Sequence, residues 1–267
     1  MEKKWRLIVD GACDGYYNMA VDESLLTCYQ CAQIPTLRLY GWNAPFVSLG
    51  YNQHVEQVLR SYTLPFVRRI TGGSGILHHD ELTYSIVCAT SDIVLPKKVK
   101  ESYAALCSFL KTFYARLGLD TVFAKDIISQ GLGRHEHFCF SACEPFDLMV
   151  KGKKIGGNAQ RRSKETIFQH GSIPFSIDFK LVQEIFMQVE DVSTKTTCLN
   201  EIRKEGNDFL ALRDMLAESF RSTFAVELFE DILSKEEKAT AQYLLENKYR
   251  NKEWNYRRAY NEKAEVV

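Results

Sequence analysis

The sequence predicts an α+β fold in which mixed or antiparallel sheets pack against helices. Short β-prone runs precede and surround a few helical segments, without the regular alternation of strand and helix that builds a parallel α/β fold. One helical segment carries a long apolar stripe. With 267 residues, 45% of them hydrophobic, the chain can bury a sizeable core. We expect a single domain over residues 1–267, with a helical C-terminal part from about residue 178 and no separate large accessory domain.

The composition excludes some classes of function and indicates the compartment. Lysine plus arginine and aspartate plus glutamate each number 34, and this balance argues against a broad surface for nucleic acid or membrane. No run of 18 apolar residues and no signal peptide is visible, so we expect a cytoplasmic protein. The eight cysteines form no pair of C-x-x-C motifs. In a cytosolic chain this indicates reduced thiols that mostly fill the core.

The residue pattern of the N-terminal part predicts strands around one helix. We expect the helix to begin at Asn18, a suitable N-cap, because Asp22 and Glu23 then lie near its positive N-terminal end. Pro35 ends this unit. The predicted strands cover residues 5–9, 37–40 and 46–51, and a short helical stretch covers residues 54–62.

The clearest helix follows Pro96. Its apolar residues step by three or four positions, and Gly118 stands where a C-terminal cap is expected. The residues of this stripe are Val99, Tyr103, Leu106, Leu110, Phe113 and Leu117. Their spacing indicates a helix that packs against a sheet.

The residue pattern of the rest of the chain predicts a hairpin, a strand and helices. The hairpin joins residues 147–150 to residues 154–161, and the next strand covers residues 166–175. Residues 209–220 and 236–246 have helical patterns.

A glycine turn separates two β-prone runs within residues 68–85. Gly72, Gly73 and Gly75 allow backbone N–H groups to approach a ligand, and Arg68 and Arg69 add positive charge. The turn therefore suits a carboxylate, a phosphate or a developing oxyanion. It is neither a Rossmann nor a Walker turn, because the glycine spacing differs and the chain leaves it as a strand. The alternative is a simple hairpin with solvated arginines.

Residues 135–143 offer two chemical alternatives. His135, His137, Cys139 and Cys143 have an H-x-H-x-C-x-x-x-C spacing, which makes a zinc site geometrically possible on an extended segment. A single reactive cysteine is the other possibility, since a thiolate near Lys154 could accept an acyl group. Residue chemistry alone does not separate Cys139 from Cys143, and either could be an inert core thiol.

Three further positions are candidate site residues. Lys154 begins a strand that carries Gly157, and it could hold a phosphate or an acyl oxyanion or simply be a surface lysine. His170 is either a core histidine or a site residue. Since neighbouring residues of a strand point to opposite faces, at most one of His78 and His79 faces the same pocket.

Five motifs follow one another along the chain, namely Asn18-Met-Ala-Val-Asp-Glu, Arg68-Arg-x-Thr-Gly-Gly-x-Gly-x-x-His78, Lys151-Gly-Lys-Lys-Ile-x-Gly-Asn-Ala-Gln160, His170-Gly-Ser-Ile and Lys248-Tyr-x-x-x-x-Trp-Asn. In this order they resemble the lipoate-protein ligase and octanoyltransferase family, and the resemblance covers nearly the whole chain. The resemblance implies the fold of biotin-protein ligase catalytic domains. It also implies an enzyme that joins a lipoyl or octanoyl group to a lysine of a lipoyl domain. Its targets would be subunits of 2-oxoacid dehydrogenases or the glycine-cleavage H protein.

Within that family the chain looks most like the cysteine-dependent octanoyltransferases. The distance from Cys139 to Lys154 resembles theirs, so the resemblance implies these two as catalytic residues. It implies acyl or adenylate binding by Arg69, Gly72, Gly73, Gly75, His78, Gly157, Asn158 and His170. Two positions depart from the pattern: Ser74 replaces a third glycine, and His79 replaces the aspartate of a His-Asp pair. The resemblance therefore gives His78 no acidic partner, although Asp80 is close in sequence.

The sequence thus leaves three hypotheses. In the first, octanoyl-acyl carrier protein acylates Cys139 and no cofactor is needed. In the second, the same pocket binds ATP and Mg²⁺ and forms lipoyl-adenylate. In the third, the chain binds lipoyl domains without modifying them. We expect no resident metal site and no nucleic-acid or membrane partner.

Overall fold

The computed structural model describes residues 3–96, 98–128, 138, 143–163, 166–189, 192–203 and 208–256. The predicted α+β class is confirmed, because helices pack against mixed sheets. The strands are β1 Lys3–Cys13, β2 Thr36–Trp42, β3 Phe46–Leu49, β4 Phe66–Arg68, β5 Ile76–His78, β6 Glu81–Ala89, β7 Val122–Phe123, β8 Leu148–Val150, β9 Lys153–Lys154, β10 Gly157–Ser163, β11 Thr166–Pro174 and β12 Val226–Asp231. The helices are α1 Gly15–Ala32, α2 Val55–Val58, α3 Val99–Leu106, α4 Ser108–Arg116, α5 Ala124–Ile127, α6 Phe179–Ile185, α7 Leu199–Ile202, α8 Phe209–Phe224, α9 Lys235–Leu244 and α10 Lys252–Asn255, with a 3₁₀ turn Val192–Thr194 and a π-helical turn Leu245–Tyr249.

The larger sheet has the strand order β10-β11-β6-β2-β1-β12. The pairs β1–β2 and β1–β12 are parallel, whereas β2–β6, β6–β11 and β11–β10 are antiparallel. This register pairs His170 with Ser85 and with Ala159. Residues far apart in sequence therefore come together on three adjacent strands, β10, β11 and β6.

Two smaller sheets appear among the described residues. In the order β4-β3-β5, one carries the glycine turn between its outer strands. The other has the order β7-β8-β9 and contains Lys154, whose backbone also bridges to Thr196.

Apolar side chains alternate between the two faces of the larger sheet, as expected for a buried sheet. On one face Trp5 packs against Phe220 of α8 with ring centroids 5.0 Å apart, in a cluster that also contains Phe109 of α4. On the other face Tyr40 and Val87 belong to a cluster with residues of α1 and α9. The sheet is therefore a middle layer between helices.

The observed helices differ from the sequence prediction at two points. The predicted helix over residues 99–117 is divided at Cys107 into α3 and α4, and Val99 is 57% exposed, so the stripe is buried only in part. Gly118 has φ +72°, which agrees with its predicted role at the helix end. The N-cap of α1 is Asp14, whose side chain accepts from the Tyr17 N–H, so the assignment of Asn18 as N-cap was wrong.

Two strands also differ from expectation. The predicted strand over residues 154–161 is divided, since Lys154 belongs to a small sheet and Gly157 begins a strand of the larger one. Strand β12 lies within the part of the chain that was expected to be helical, and it pairs in parallel with β1. In the described part of the chain, no helix combines the length and apolar character needed to cross a bilayer.

Candidate active site

The glycine turn connects β4 to β5 and lies against the end of β3. Gly73 has φ +88°, a conformation that glycine adopts readily. A side chain at Gly50 would overlap the carbonyl oxygen of Gly73, so the two backbones pack directly on each other. The turn is held in place by this close backbone contact as well as by side chains.

Arg69 donates hydrogen bonds to the chain around the turn. Its Nε bonds Thr71 Oγ1 at 3.1 Å, and its Nη2 bonds the carbonyl oxygens of Gly72 and Ser74, each at 2.8 Å. Its Nη1 bonds the carbonyl and hydroxyl oxygens of Ser48, each at 3.1 Å. A guanidinium has five N–H donors, and these five contacts engage all of them. In this state Arg69 fixes the shape of the turn.

Arg68 has a comparable role on the other side. Its guanidinium donates to five backbone carbonyls, those of Gly50, Tyr51, Gln53, Trp254 and Asn255. Arg68 and Arg69 are 0% and 2% exposed, so the alternative of a hairpin with solvated arginines was wrong.

A cavity lies between the turn and strands β10 and β11. It brings together four predicted site residues, namely Arg69, His78, Gly157 and His170. Its other lining residues are Met19, Tyr40, Trp42, Ser48, Ile76, Thr83, Ala159, Gly171 and Ser172. Apolar walls with a few polar groups are typical of sites for small organic ligands.

His78 is held on three sides. Its ring stacks on Trp42 with centroids 3.9 Å apart and an interplanar angle of 8°. Its Nδ1 lies 2.9 Å from Glu81 Oε1, and its Nε2 lies 2.8 Å from Ser48 Oγ. The acidic partner that the resemblance did not supply is therefore Glu81, whereas His79 and Asp80 are exposed.

Glu81 is buried but accepts several hydrogen bonds. Thr83 Oγ1 donates to Oε1, and Ser172 Oγ donates to Oε2 at 2.7 Å. Burial acts to raise the pKa of Glu81, but its interactions with His78 and these hydrogen bonds outweigh it, so the pKa lies below its ordinary value. Glu81 is thus an ionised acceptor behind His78.

His170 contacts a second buried carboxylate. Its Nε2 lies 2.8 Å from Thr71 Oγ1, and its Nδ1 lies 3.6 Å from Asp22 Oδ2. Burial lowers the pKa of His170 more than Asp22 raises it. The ring is therefore neutral near pH 7.

Asp22 lies at the centre of a network that the sequence analysis did not assign to the site. Its Oδ1 accepts from Arg38 Nη1 and from Ser85 Oγ, each at 2.8 Å, and its Oδ2 accepts from Tyr40 Oη at 2.9 Å. Burial acts to raise the pKa of Asp22, but His170 and the Arg38 charge keep it below the ordinary value. The motif over residues 18–23 was the sequence signal for this network.

Lys154 and Asn158 do not line the cavity. Lys154 Nζ lies 2.6 Å from Asp147 Oδ2, and both side chains are at most 3% exposed. Asn158 Oδ1 accepts a hydrogen bond from Tyr84 Oη at 2.7 Å. Lys154 is thus a buried cation, and the sequence analysis did not identify its partner Asp147.

The other predicted glycines lie along the turn. Gly72 and Gly73 are exposed, whereas Gly75 is buried and forms a parallel bridge with Phe138. Phe138 is 1% exposed and packs against Phe186 with ring centroids 4.6 Å apart.

Several predicted residues fall in segments that are not described. Cys139, His135 and His137 lie outside the described residues, and Cys143 is half-buried. Within the described ranges, no group of three histidine, cysteine or acidic residues could hold a metal ion. Burial raises the pKa of Cys107 to about 12 and that of Cys88 even more, which indicates inert core thiols.

The sequence model of the lipoyl protein ligase A/B catalytic domain matches residues 14–221. The chain belongs to this family. It is 34% identical to octanoyltransferase LipM of Geobacillus kaustophilus, over 95% of this chain and 98% of that protein. It is equally identical to octanoyltransferase LipM of Bacillus subtilis, over 97% of this chain and 100% of that protein. The resemblance seen in the sequence is therefore confirmed, and the lipoyl protein ligase A/B chain described here is an enzyme that attaches octanoyl or lipoyl groups.

Solved structures agree on the fold of this lipoyl protein ligase A/B domain. A lipoate-protein ligase A bound with ATP superposes with a TM-score of 0.79 at 21% identity, covering 96% of this chain and 99% of that one. A bipartite lipoate protein ligase from Thermoplasma acidophilum gives a TM-score of 0.78 at 19% identity, covering 99% of this chain and 100% of that one. At these identities the likeness shows the lipoate-protein ligase fold alone.

Proposed function

We propose that this protein transfers an octanoyl group from octanoyl-acyl carrier protein to a lysine of a lipoyl domain, through a thioester on Cys139. The relatives that match nearly the whole chain at 34% identity are octanoyltransferases, which supports transfer over ligation. No cofactor takes part in this reaction. We also propose that the chain works as a single cytoplasmic domain.

The observation that carries the proposal is the pairing of Phe138 with Gly75. Phe138 directly precedes Cys139 in the sequence, and its side chain is buried beside strand β3 in a cluster with Leu49 and Phe186. The residue before the proposed nucleophile is therefore bonded to the glycine turn. This supports Cys139 over Cys143 as the residue that receives the acyl group.

The reaction has two balanced steps. In the first, the Cys139 thiolate attacks the thioester carbonyl, a new C–S bond forms, and the carrier thiolate leaves and takes up a proton. In the second, the target lysine attacks the octanoyl-enzyme, a C–N bond forms, and the Cys139 C–S bond breaks. The products are an amide and the free enzyme thiol.

The site residues supply binding and electrostatic stabilisation. The apolar side chains of Met19, Trp42 and Ile76 form a wall against which an acyl chain can lie. Backbone N–H groups of residues 72–75 stabilise the charge that develops on the carbonyl oxygen. Lys154 favours the Cys139 thiolate by its positive charge, and for this role its ammonium must leave Asp147, with which it is paired outside the cavity in this structure.

The acceptor is a lipoyl domain of a 2-oxoacid dehydrogenase subunit or the glycine-cleavage H protein. A solved bipartite ligase of the same fold was studied together with its E2 lipoyl domain, which supports this class of partner.

Mass spectrometry of an apo lipoyl domain tests the proposal. The domain is incubated with the protein and octanoyl-acyl carrier protein, and separately with lipoate, ATP and Mg²⁺. We expect octanoylation in the first reaction and an octanoyl adduct on Cys139 of the enzyme. Cys139→Ser should abolish transfer, whereas the matched control Cys143→Ser should retain it.

Other outcomes point to the alternatives. Modification only with lipoate and ATP would make the protein an ATP-dependent lipoate-protein ligase, in which Cys139 is a bystander. Binding of the lipoyl domain without modification in either reaction would indicate a non-catalytic lipoyl-domain-binding protein.

A further inference from the structure

The polar side of the cavity contains an unbroken line of hydrogen bonds through three side chains. Ser48 Oγ lies 2.8 Å from His78 Nε2, and His78 Nδ1 lies 2.9 Å from Glu81 Oε1. Ser48 and His78 line the cavity, and Glu81 lies behind them. All three are at most 5% exposed.

The partners determine the direction of each hydrogen bond. Ionised Glu81 can only accept, so the proton of a neutral His78 ring is on Nδ1. The Nε2 atom is then an acceptor, and the Ser48 hydroxyl donates to it. Arg69 Nη1 donates to the same hydroxyl oxygen at 3.1 Å, which agrees with this orientation. The basic nitrogen of His78 is therefore directed at the Ser48 hydroxyl on the cavity wall.

We propose that Ser48, His78 and Glu81 form a relay that takes up a proton from the target lysine during its attack on the octanoyl-enzyme. This inference rests on the proposed function. The attacking lysine is an ammonium at neutral pH, because its ordinary pKa is about 10.4. It loses two protons when the amide forms: one restores the Cys139 thiol, and the other passes through the Ser48 hydroxyl to His78 Nε2.

Glu81 acts as a positioning residue in this relay. Its carboxylate keeps the Nδ1–H tautomer and stabilises the imidazolium that forms, which is the role of the acid in hydrolase triads. The Trp42 ring, stacked on His78, prevents the imidazole from rotating away. Thr83 and Ser172 in turn hold the Glu81 carboxylate in place.

The charged and titratable groups around His78 come from three elements. Glu81 lies on β6, Arg69 approaches through Ser48 from the glycine turn, and His170 on β11 faces the same cavity. Among these three groups of the described chain, Glu81 and Arg69 are charged near pH 7, whereas His170 is neutral.

Single-turnover discharge of the octanoyl-enzyme tests the relay. The wild-type enzyme and its variants are first acylated with octanoyl-acyl carrier protein, and discharge to an apo lipoyl domain is then followed by mass spectrometry. His78→Ala should slow discharge to lysine about 100-fold, as is typical for loss of a general base. Ser48→Ala and Glu81→Gln should each slow it by at least about tenfold. The exposed neighbour provides a matched control, His79→Ala, with a wild-type rate.

Hydroxylamine separates proton transfer from a structural role. It is an uncharged nucleophile at pH 7.5, so it needs no proton removed before attack. The His78→Ala octanoyl-enzyme should react with hydroxylamine at the wild-type rate although it reacts slowly with lysine. Glu81→Gln should show the same separation, with slow discharge to lysine and a wild-type rate with hydroxylamine.

The results distinguish failure of the relay from failure of the proposed function. Wild-type discharge rates to lysine in Ser48→Ala and His78→Ala, with normal acylation, would overturn the relay and leave the proposed function intact. Equal slowing with lysine and hydroxylamine would also overturn it, since a distorted cavity would affect both nucleophiles. Absence of any octanoyl-enzyme in the wild-type protein would refute the proposed function and the relay with it.

Discussion

At the scale of single residues, two buried histidines face the same cavity with different surroundings. His78 is bonded to an ionised carboxylate at 2.9 Å, whereas His170 is bonded to the Thr71 hydroxyl and lies 3.6 Å from Asp22. Burial lowers the pKa of His170, and the folded protein holds this ring in its neutral form. The two rings can therefore have separate tasks within one site.

The lowered pKa of His170 makes stability depend on pH. In the unfolded chain this histidine titrates near pH 6.5, so below that pH the unfolded state binds a proton that the folded state does not. We expect the melting temperature to fall between pH 7.5 and pH 5.5, and to fall less in His170→Gln. Asp22 and Glu81 have lowered pKa values, so the stability they contribute is lost only below about pH 4, outside this range.

Thermal unfolding at several pH values checks this expectation. His79→Gln serves as the control, because His79 is exposed and should leave the pH dependence unchanged. The same slope in His170→Gln as in the wild-type protein would contradict the prediction.

The buried pair Lys154–Asp147 gives a second prediction at this scale. Asp147→Asn removes the carboxylate that lies 2.6 Å from the buried Lys154 ammonium, so we expect a loss of about 3–5 kcal/mol in the free energy of unfolding. The double variant Asp147→Asn/Lys154→Met removes that charge and should recover most of the loss. Urea denaturation of both variants measures the difference, and a double variant no more stable than Asp147→Asn would contradict this account.

The family resemblance implied that Arg69, His78, Gly157 and His170 belong to one site, and these four residues line the same cavity. The partners of these residues were not predictable in the same way. Glu81 is reached by a tight turn at His79 and Asp80, and the sequence does not show which of the nearby carboxylates folds back onto His78. Asp22 is close to His170 only because α1 packs on the larger sheet.

At the scale of elements, the glycine turn depends on close contact between two backbone segments. Gly50 and Gly73 pack without side chains, and a Cβ atom at Gly50 would also lie 2.8 Å from the carbonyl carbon of Gly73. Arg69 donates to the carbonyls on both sides of this contact. The turn can therefore keep one shape only while Gly50 remains a glycine.

Gly50→Ala and Gly72→Ala form a matched pair of variants. A methyl group at Gly50 meets backbone atoms that cannot move aside cheaply, whereas a methyl group at Gly72 meets nothing within 4 Å. We expect Gly50→Ala to lose about 1–3 kcal/mol of stability, as overpacked sites do, together with most transfer activity. Gly72→Ala should be within about 0.5 kcal/mol of the wild-type protein.

Melting temperature and the rate of lipoyl-domain octanoylation measure the two effects. Wild-type activity in Gly50→Ala would show that the turn can shift without harm, against the expectation.

The periodicity of apolar residues predicted the presence of helices better than the residues at which they begin and end. The stripe over residues 99–117 marked a helical region correctly, but periodicity could not reveal the division at Cys107 between α3 and α4. Strand β12 was missed because its sequence Val-Glu-Leu-Phe-Glu-Asp is rich in acidic residues and lies at the edge of the sheet, where one face is solvated. Tertiary pairing with β1, and not local preference, fixes that segment as a strand.

At the scale of the whole molecule, the first and last parts of the chain are joined at several places. Strand β1 pairs with β12, and Arg6 bonds Glu237 with both side chains buried. Glu23 of α1 accepts from Lys248 at 2.8 Å and from Tyr249 at 2.6 Å. Contacts of this kind connect the C-terminal helices to the rest of the core.

These connections predict unfolding as one cooperative unit. Trp5 lies in the core beneath α8, whereas Trp254 lies beside Arg68 near the C-terminus. In urea, tryptophan fluorescence of the wild-type protein and of Trp254→Phe should give the same midpoint as far-UV circular dichroism. An earlier fluorescence transition that disappears in Trp254→Phe would instead indicate a C-terminal part that unfolds separately.

The five carbonyl contacts of Arg68 also affect how the protein is made. Two of the carbonyls belong to Trp254 and Asn255, and Asn255 Oδ1 also accepts from the Arg68 N–H at 2.8 Å. A nascent chain on the ribosome lacks these two acceptors until residues 254 and 255 have been synthesised, so before that point Arg68 has an incomplete set of carbonyl partners. Arg68 can therefore complete its contacts only after translation has passed residue 255, and we expect a product that ends before Trp254 to be less stable and more readily degraded than the longer chain.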